Sequence, residues 1–258
     1  MIRAAVKIAY LGEPFYGSQI QPGHRTVEGD ILSDLRTIMK ISDEDIDLRL
    51  ASRTDRGVNS LGNVAVFYSS IDDPGILLKA LNAVSKDVFY RSVATVGEDF
   101  NPRFADIRRY RYLVRSEGMD VQAMRNCADM FVGKHDFTRF CKPDERSANL
   151  ALDSVEVHEE GDLVVLDFSA RYYLWNMIRR MVAAIMSVGR GDSTISDVRD
   201  ALNGKDLSFG LARADALTLI DVFYKDVEFA TPLTGMFDGK IGEELFKDRL
   251  RSMFFASL

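Results

Sequence analysis

The chain has 258 residues, 47% of them apolar and 28% charged, and a formal net charge of −6. That length suits one large domain or two small ones, the composition is ordinary for a globular protein, and the acidic balance excludes a nucleic-acid binder that works through a uniformly basic surface. No apolar run of about eighteen residues is present, so no membrane-spanning helix is expected, and the charges in Met1–Lys7 interrupt any signal-peptide pattern. Cys127 and Cys141 are too few for a disulfide framework, which predicts a reducing, cytoplasmic setting. His24, His135 and His158 lie far apart without metal-ligand spacing, so no metal is expected.

In chain order, Ala4–Tyr10 alternates as a strand does. A Gly- and Pro-rich loop follows over Gly12–Gly23, carrying Gln19 and Gln21. Thr26 caps a helix with Val27, Ile31, Leu32, Leu35, Ile38 and Met39 on one face. Two strand-like runs, Asp47–Leu50 and Val64–Tyr68, flank a polar turn. Asp73 and Pro74 start a second helix, and Val88–Val96 is another strand. The order βαββαβ is the ferredoxin-like arrangement.

The second half repeats the order. Tyr110–Arg115 is a strand, Val121–Phe131 a helix, and Ala151–His158 with Leu163–Tyr172 a hairpin. Leu174–Val188 is a helix ending at Gly189, Ile195–Asn203 a short one, and Ala216–Tyr224 the closing strand. From Lys225 a loop leads to a helix over Glu243–Phe254. The fold class is therefore α+β: two ferredoxin-like halves, residues 1–105 and 106–258, joined edge to edge into one mainly antiparallel sheet. Helices are expected on one face, and the other is left free as an RNA seat.

Charge is unevenly spread. Pro102–Arg115 holds Arg103, Arg108, Arg109, Arg111 and Arg115 against Asp106, and Arg171–Arg190 holds four arginines and no acid. Three places combine charge with aromatic or apolar framing. The first is the turn Ser52-Arg53-Thr54-Asp55-Arg56-Gly57, where two guanidiniums flank one carboxylate and favour its charged form. The second is Arg108-Arg109-Tyr110-Arg111-Tyr112, where strand alternation sends Arg109 and Arg111 one way and the tyrosines the other, so that the tyrosines can stack a base. The third is Arg179, at the edge of an apolar helical stripe and able to reach a carboxylate. Each has a plainer reading: a charged hairpin turn, half-buried core tyrosines and a snorkelling arginine.

Six segments in order resemble the TruA-type tRNA pseudouridine synthases. The family's Gly-Arg-Thr-Asp-Ala-Gly-Val-His stands here as Ser52–Asn59. Its Gly-Trp-Gln loop is similar to Gly17-Ser18-Gln19. Its Phe-x-x-Arg-Phe and Arg-Arg-Tyr-Arg-Tyr match Phe100–Phe104 and Arg108–Tyr112. His135-Asp136-Phe137, Met177-Ile178-Arg179 and Ala214–Leu219 match the remaining three. The resemblance implies a uridine isomerase acting on the tRNA anticodon stem-loop, around positions 38, 39 and 40, with a flipped-out base and no cofactor. It implies that Asp55 is the catalytic carboxylate, as nucleophile or base, that Tyr110 stacks on the target base, that Arg53 aids flipping and that Arg179 pairs with Asp55. Gln19, Arg56, Arg109 and Arg111 are candidate RNA contacts. The partners implied are tRNA and a second copy of the chain in a homodimer. Three departures stand out: Ser18 for the family's Trp, Asn59 for its His and Arg56 for its Ala. A non-catalytic RNA-binding module on the same sheet is the competing reading. A glycoside-processing enzyme is weaker, because it needs a second carboxylate at the bond.

Overall fold

The computed structural model describes residues 1–142, 147–230, 235 and 237–256. The N-terminal half runs β1 (Ile2–Tyr10), α1 (Val27–Ile38), α2 (Asp43–Ile46), β2 (Arg49–Leu50), β3 (Asn59–Ser69), α3 (Pro74–Val84) and β4 (Phe89–Thr95). The C-terminal half runs β5 (Ile107–Arg115), α4 (Val121–Asp129), β6 (Gly133–Asp136), β7 (Asn149–Leu152), β8 (Ser154–Glu160), β9 (Leu163–Ala170), α5 (Met177–Gly189), α6 (Ile195–Leu202) and β10 (Leu217–Phe223), followed by α7 (Asp238–Ala256).

One eight-stranded sheet holds both halves in the order β4-β1-β3-β10-β5-β9-β8, with β2 on β3, while β6 and β7 pair separately. Each half places its last strand beside its first, then the third-ranked and second-ranked strands, as two ferredoxin-like units do. All pairs are antiparallel except the seam, where β10 meets β3 in parallel through Thr218 opposite Asn59 and Leu219 opposite Ser60. The strand β3 serves two partners on this edge. Its Ala65 and Val66 pair with β2, and its first residues pair with β10.

Register fixes the faces. Tyr10 lies opposite Ser60, Ser60 opposite Leu219 and Leu219 opposite Tyr110, so all four share one side. On that side Ala4, Val6 and Ile8 pack with Val27, Ile31 and Leu35 of α1 and with Leu77 and Leu81 of α3. Tyr112 and Val114 pack with Met124 of α4 and with Met181 and Ile185 of α5. Helices of both halves thus cover the same face, as expected. The opposite face is not free over the N-terminal half, because residues past β10 return across it: Lys7 lies over the Phe229 ring and Ala230 donates to the Val93 carbonyl.

Local chemistry sets the ends of the elements. The Thr26 hydroxyl accepts from the Gly29 amide at the start of α1, Asp73 caps α3 with Pro74 in its first turn, and Thr194 with Asp197 forms a capping box on α6. The helix expected from Leu174 starts only at Met177, because Asn176 adopts φ 62° and ψ 5°. The strand expected over Ala151–His158 is broken into β7 and β8, the Asp153 amide turning to the Ser169 carbonyl. α7 begins earlier than the expected Glu243, and part of the expected loop before it lies outside the described residues. No helix among the described residues is long and apolar enough to cross a membrane.

The seam needs a residue without a side chain at Gly62. A Cβ there would stand 2.6 Å from the Ile220 carbonyl oxygen and 2.8 Å from Oδ1 of Asp221. Gly62→Ala is therefore expected to force the β3–β10 junction apart and destabilise the fold by about 2–4 kcal/mol, measured as a fall in the chemical denaturation midpoint with little change in slope.

Candidate active site

The polar turn between β2 and β3 is held from several directions. Asn63, wholly buried, accepts from the Ser52 amide at 3.1 Å and donates to the Ser52 carbonyl at 2.9 Å. The Ser18 hydroxyl accepts from the Thr54 amide at 2.8 Å, and the Ser18 amide donates back to the Thr54 carbonyl at 3.0 Å. Tyr10 Oη lies 2.9 Å from Thr54 Oγ1. The Asn59 side chain accepts from the Gly12 amide and donates to the Asp215 carbonyl, both at 2.8 Å. Gly57, at φ +82°, closes the turn against Gly12 so tightly that a Cβ on Gly12 would stand 2.3 Å from the Gly57 carbonyl carbon. Ser18 and Asn59, two of the three departures from the family pattern, are thus clamps on the turn.

This clamped turn presents Asp55, half-buried, to side chains of the other half. Arg179 Nη1 donates to Oδ2 at 3.3 Å and the Trp175 indole donates to Oδ1 at 3.1 Å. Arg179 is itself aimed by its Nε, which donates to the Ala212 carbonyl at 2.8 Å. The sequence neighbours do not play the part their proximity suggested. Arg53 is exposed and makes no hydrogen bond or ion pair among the described residues, and Arg56 turns away to lie 3.9 Å from the centre of the Tyr16 ring. Consecutive residues of a tight turn point in diverging directions, so adjacency in sequence did not become contact.

Tyr110 sits on the same face, almost wholly buried, edge-on to Tyr173 with ring centres 5.2 Å apart. Burial is the main cause that pushes its phenol up to about 12, and the nearby charge of Asp55 adds to the rise. Arg109 and Arg111 point to the opposite face of the sheet. Arg109 is exposed, and Arg111 makes a two-pronged ion pair with Asp167, each bond 2.8 Å. Gln19 is exposed on the loop after β1. The structure therefore gathers Asp55, Arg179 and Tyr110, with Arg53 on the same turn, and separates Arg109 and Arg111 from them by the thickness of the sheet.

Two residues that the sequence reading passed over belong to this place. Trp175 stands four residues ahead of Arg179, within the arginine-rich run Arg171–Arg190. Arg108 shares the strand parity of Tyr110, and that parity was its signal. It is buried, donates to Ser52 Oγ at 2.9 Å and to the carbonyls of Ala51 and Arg103 at 3.1 and 2.9 Å, and also bonds the Arg171 carbonyl. It has no carboxylate partner among the described residues, and burial lowers its pKa. This guanidinium fastens the base of the Asp55 turn to β5 and to the chain leaving β9.

A carboxylate gripped by an arginine and an indole, beside a buried tyrosine at the seam of two ferredoxin-like units, is the equipment of an enzyme. A family model described as tRNA pseudouridine synthase matches residues 127–225. The tRNA pseudouridine synthase A of Pyrococcus abyssi is 37% identical over 232 residues, covering 88% of this chain and 87% of the relative. That of Pyrococcus furiosus is 38% identical over 88% of this chain and 86% of its own. That of Thermococcus kodakarensis is 36% identical over 261 aligned residues, 100% of this chain and 97% of its own. The chain belongs to this family of tRNA pseudouridine synthases and is an isomerase. Among solved structures, an archaeal box H/ACA sRNP Nop10-Cbf5 complex aligns over 71% of this chain and 43% of its own, at a TM-score of 0.35 and 12% identity. A likeness that loose carries no argument.

Two outcomes are expected of this arrangement. Arg108→Met should lower stability by about 2–5 kcal/mol, because the groups it bonds are left buried without a donor, and denaturation of the purified variant measures this. The buried phenols of Tyr10, Tyr110, Tyr173 and Tyr224 are all raised above the ordinary value, chiefly by burial. Their folded state favours the neutral form, so their contribution is fully present below about pH 10, where unfolded tyrosines titrate. It is lost as pH rises through the folded value, about 12 for Tyr110. Phenolate absorbance is expected to lag in the folded protein and to appear together with alkaline unfolding.

Proposed function

We propose that this synthase isomerises uridine to pseudouridine in the anticodon stem-loop of tRNA, around positions 38, 39 and 40, and that Asp55 is its catalytic carboxylate. The single observation that carries the reading is the pair of donors on Asp55: one from Arg179 and one from Trp175, both contributed by the opposite half of the molecule. A carboxylate oriented in this way, half-buried between two lobes, can act on the ribose of a nucleotide withdrawn from its stack.

The reaction breaks the bond from C1′ to N1 and makes one from C1′ to C5. N1 gains a proton and C5 loses one, so no oxidant or reductant is consumed. Asp55 serves it either by attack at C1′ or by removing the C2′ proton. Since the base is stacked in the RNA, it must be flipped out to reach the carboxylate. Tyr110 lines the place the base takes, and its phenol stays protonated at neutral pH. Arg53, exposed and unpartnered among the described residues, is free to enter the RNA and hold the flipped state. Arg56 and Gln19 are further contacts on the same side. Arg109 and Arg111 meet RNA only if it also reaches the far face of the sheet. The active form is a cytoplasmic homodimer bridged by its tRNA, in which residues 1–105 supply the Asp55 turn and residues 106–258 its partners.

A competing reading, an RNA-binding module without catalysis, gives a carboxylate at the centre of the site nothing to do. Asp55→Ala is expected to lose at least about a thousandfold in pseudouridine formation on unmodified tRNA while binding it. Retained turnover would remove Asp55 from the chemistry. Tyr110→Ala is expected to lose most turnover with tRNA affinity within about tenfold of wild type, because phosphate contacts dominate binding. Equal losses in both would make Tyr110 a packing residue only. Pseudouridine mapping on the product tells which uridines are modified.

A further inference from the structure

We propose that Trp175 is a positioning residue for the reacting carboxylate, its indole N–H fixing one oxygen of Asp55 while Arg179 fixes the other. The inference rests on the reading of Asp55 as the group that acts on the ribose. It starts from an oddity of the chain: its sole tryptophan is 47% exposed instead of filling the core. A large aromatic side chain left half in water needs a reason, and the polar end of an indole usually supplies it through a hydrogen bond.

The geometry around Trp175 is that of a side chain held in place. Its carbonyl accepts from the Lys142 amide at 2.8 Å, and Lys142 Nζ stands 3.7 Å from the ring centre. On one side in sequence Leu174 is buried, and on the other Asn176 takes its left-handed conformation. That conformation is uncommon for any residue but glycine and best tolerated by Asn or Asp. It turns the chain abruptly into α5, so that Trp175 just before the helix and Arg179 in its first turn reach the same carboxylate. The Asn176 side chain also accepts from Arg179 Nη1 at 3.4 Å, which ties the two donors into one unit.

The chemical consequence concerns rotation. The terminal torsion of a carboxylate is broad and roughly two-fold, and a half-buried Asp55 bound through one oxygen would still swing. Donors on separate oxygens, 3.1 Å from Oδ1 and 3.3 Å from Oδ2, fix the plane of the group. Each oxygen retains an unused acceptor site with which to meet the ribose. The indole is a neutral donor, so it orients the anion without adding a second cation beside Arg179. Alignment set before the nucleotide arrives is worth rate more than affinity.

Trp175→Phe keeps an aromatic ring over Lys142 and removes only the N–H. Its kcat is expected to fall about tenfold or more, with KM for tRNA within about threefold and an unchanged denaturation midpoint. Combined with Arg179→Lys, the loss is expected to be non-additive, since both side chains orient one group. A packing role would not produce that coupling. The single tryptophan gives a direct readout, because the nitrogen-15 correlation spectrum contains one indole signal. Its proton is expected well downfield in the wild type and shifted upfield in Asp55→Ala. An unmoved indole signal, or full kcat in Trp175→Phe, overturns the proposal. If Asp55→Ala still isomerises uridine, the catalytic reading of Asp55 fails, and the indole signal decides separately whether the contact exists.

Discussion

Two rungs of parallel pairing between β3 and β10 are the constraint on which the site depends. Asn59 and Ser60 face Thr218 and Leu219 there, and a few residues further along β3 is paired with β2 instead. The turn between β2 and β3 therefore emerges where β3 is handed from its own half to the other. Asp55 is delivered to the seam by that hand-over, opposite Arg179, Trp175 and Tyr110. A short parallel pairing is a weak joint, and the molecule braces it from both faces. Lys7 pairs with Asp221 on one side. On the other, Arg108 bonds Ser52 across the junction, and Asn59 at the start of β3 ties the two halves through the Asp215 carbonyl.

The braces and the site share atoms, which links stability to function. Ser52, whose hydroxyl accepts from Arg108, also lies beside the Tyr110 phenol. Ser52 is gripped again by Asn63, and Thr54 by Ser18 and Tyr10. A buried polar network in which members satisfy one another is rigid, and a missing member leaves the others unpaired in a low-dielectric setting. The turn that carries Asp55 is for this reason less free than its Gly-, Ser- and Arg-rich composition suggests.

Much of this was written in alternation and order. The βαββαβ sequence of elements in each half, the period of two on β5 and the helical stripes of α1 and α5 were legible because burial on one face leaves a period in the sequence. What was not legible depended on contacts made by the fold. Arg179, 124 positions from the carboxylate it meets, was tied to Asp55 only through the family resemblance, while Arg53 and Arg56, the obvious partners by adjacency, make no ion pair with it among the described residues. The late start of α5 came from a backbone conformation at Asn176 that no periodicity signals. The covered far face came from chain beyond β10, where the sequence pattern was weakest.

The basic cluster on β5 shows how far a count of charges can mislead. Arg108, Arg109 and Arg111 are near neighbours in sequence, yet strand geometry divides them. Arg108 is spent inside the protein on a hydroxyl and backbone carbonyls, Arg111 is neutralised by Asp167, and Arg109 alone is exposed on the far face. Exposed cations on the side of the carboxylate come instead from elsewhere: Arg53 and Arg56 on the same turn, and Lys142 over the Trp175 ring. A chain with a net charge of −6 can therefore still present cations where a phosphate backbone would pass. It does so on the helical side of the sheet, because the β2–β3 turn and the start of α5 converge there across the seam.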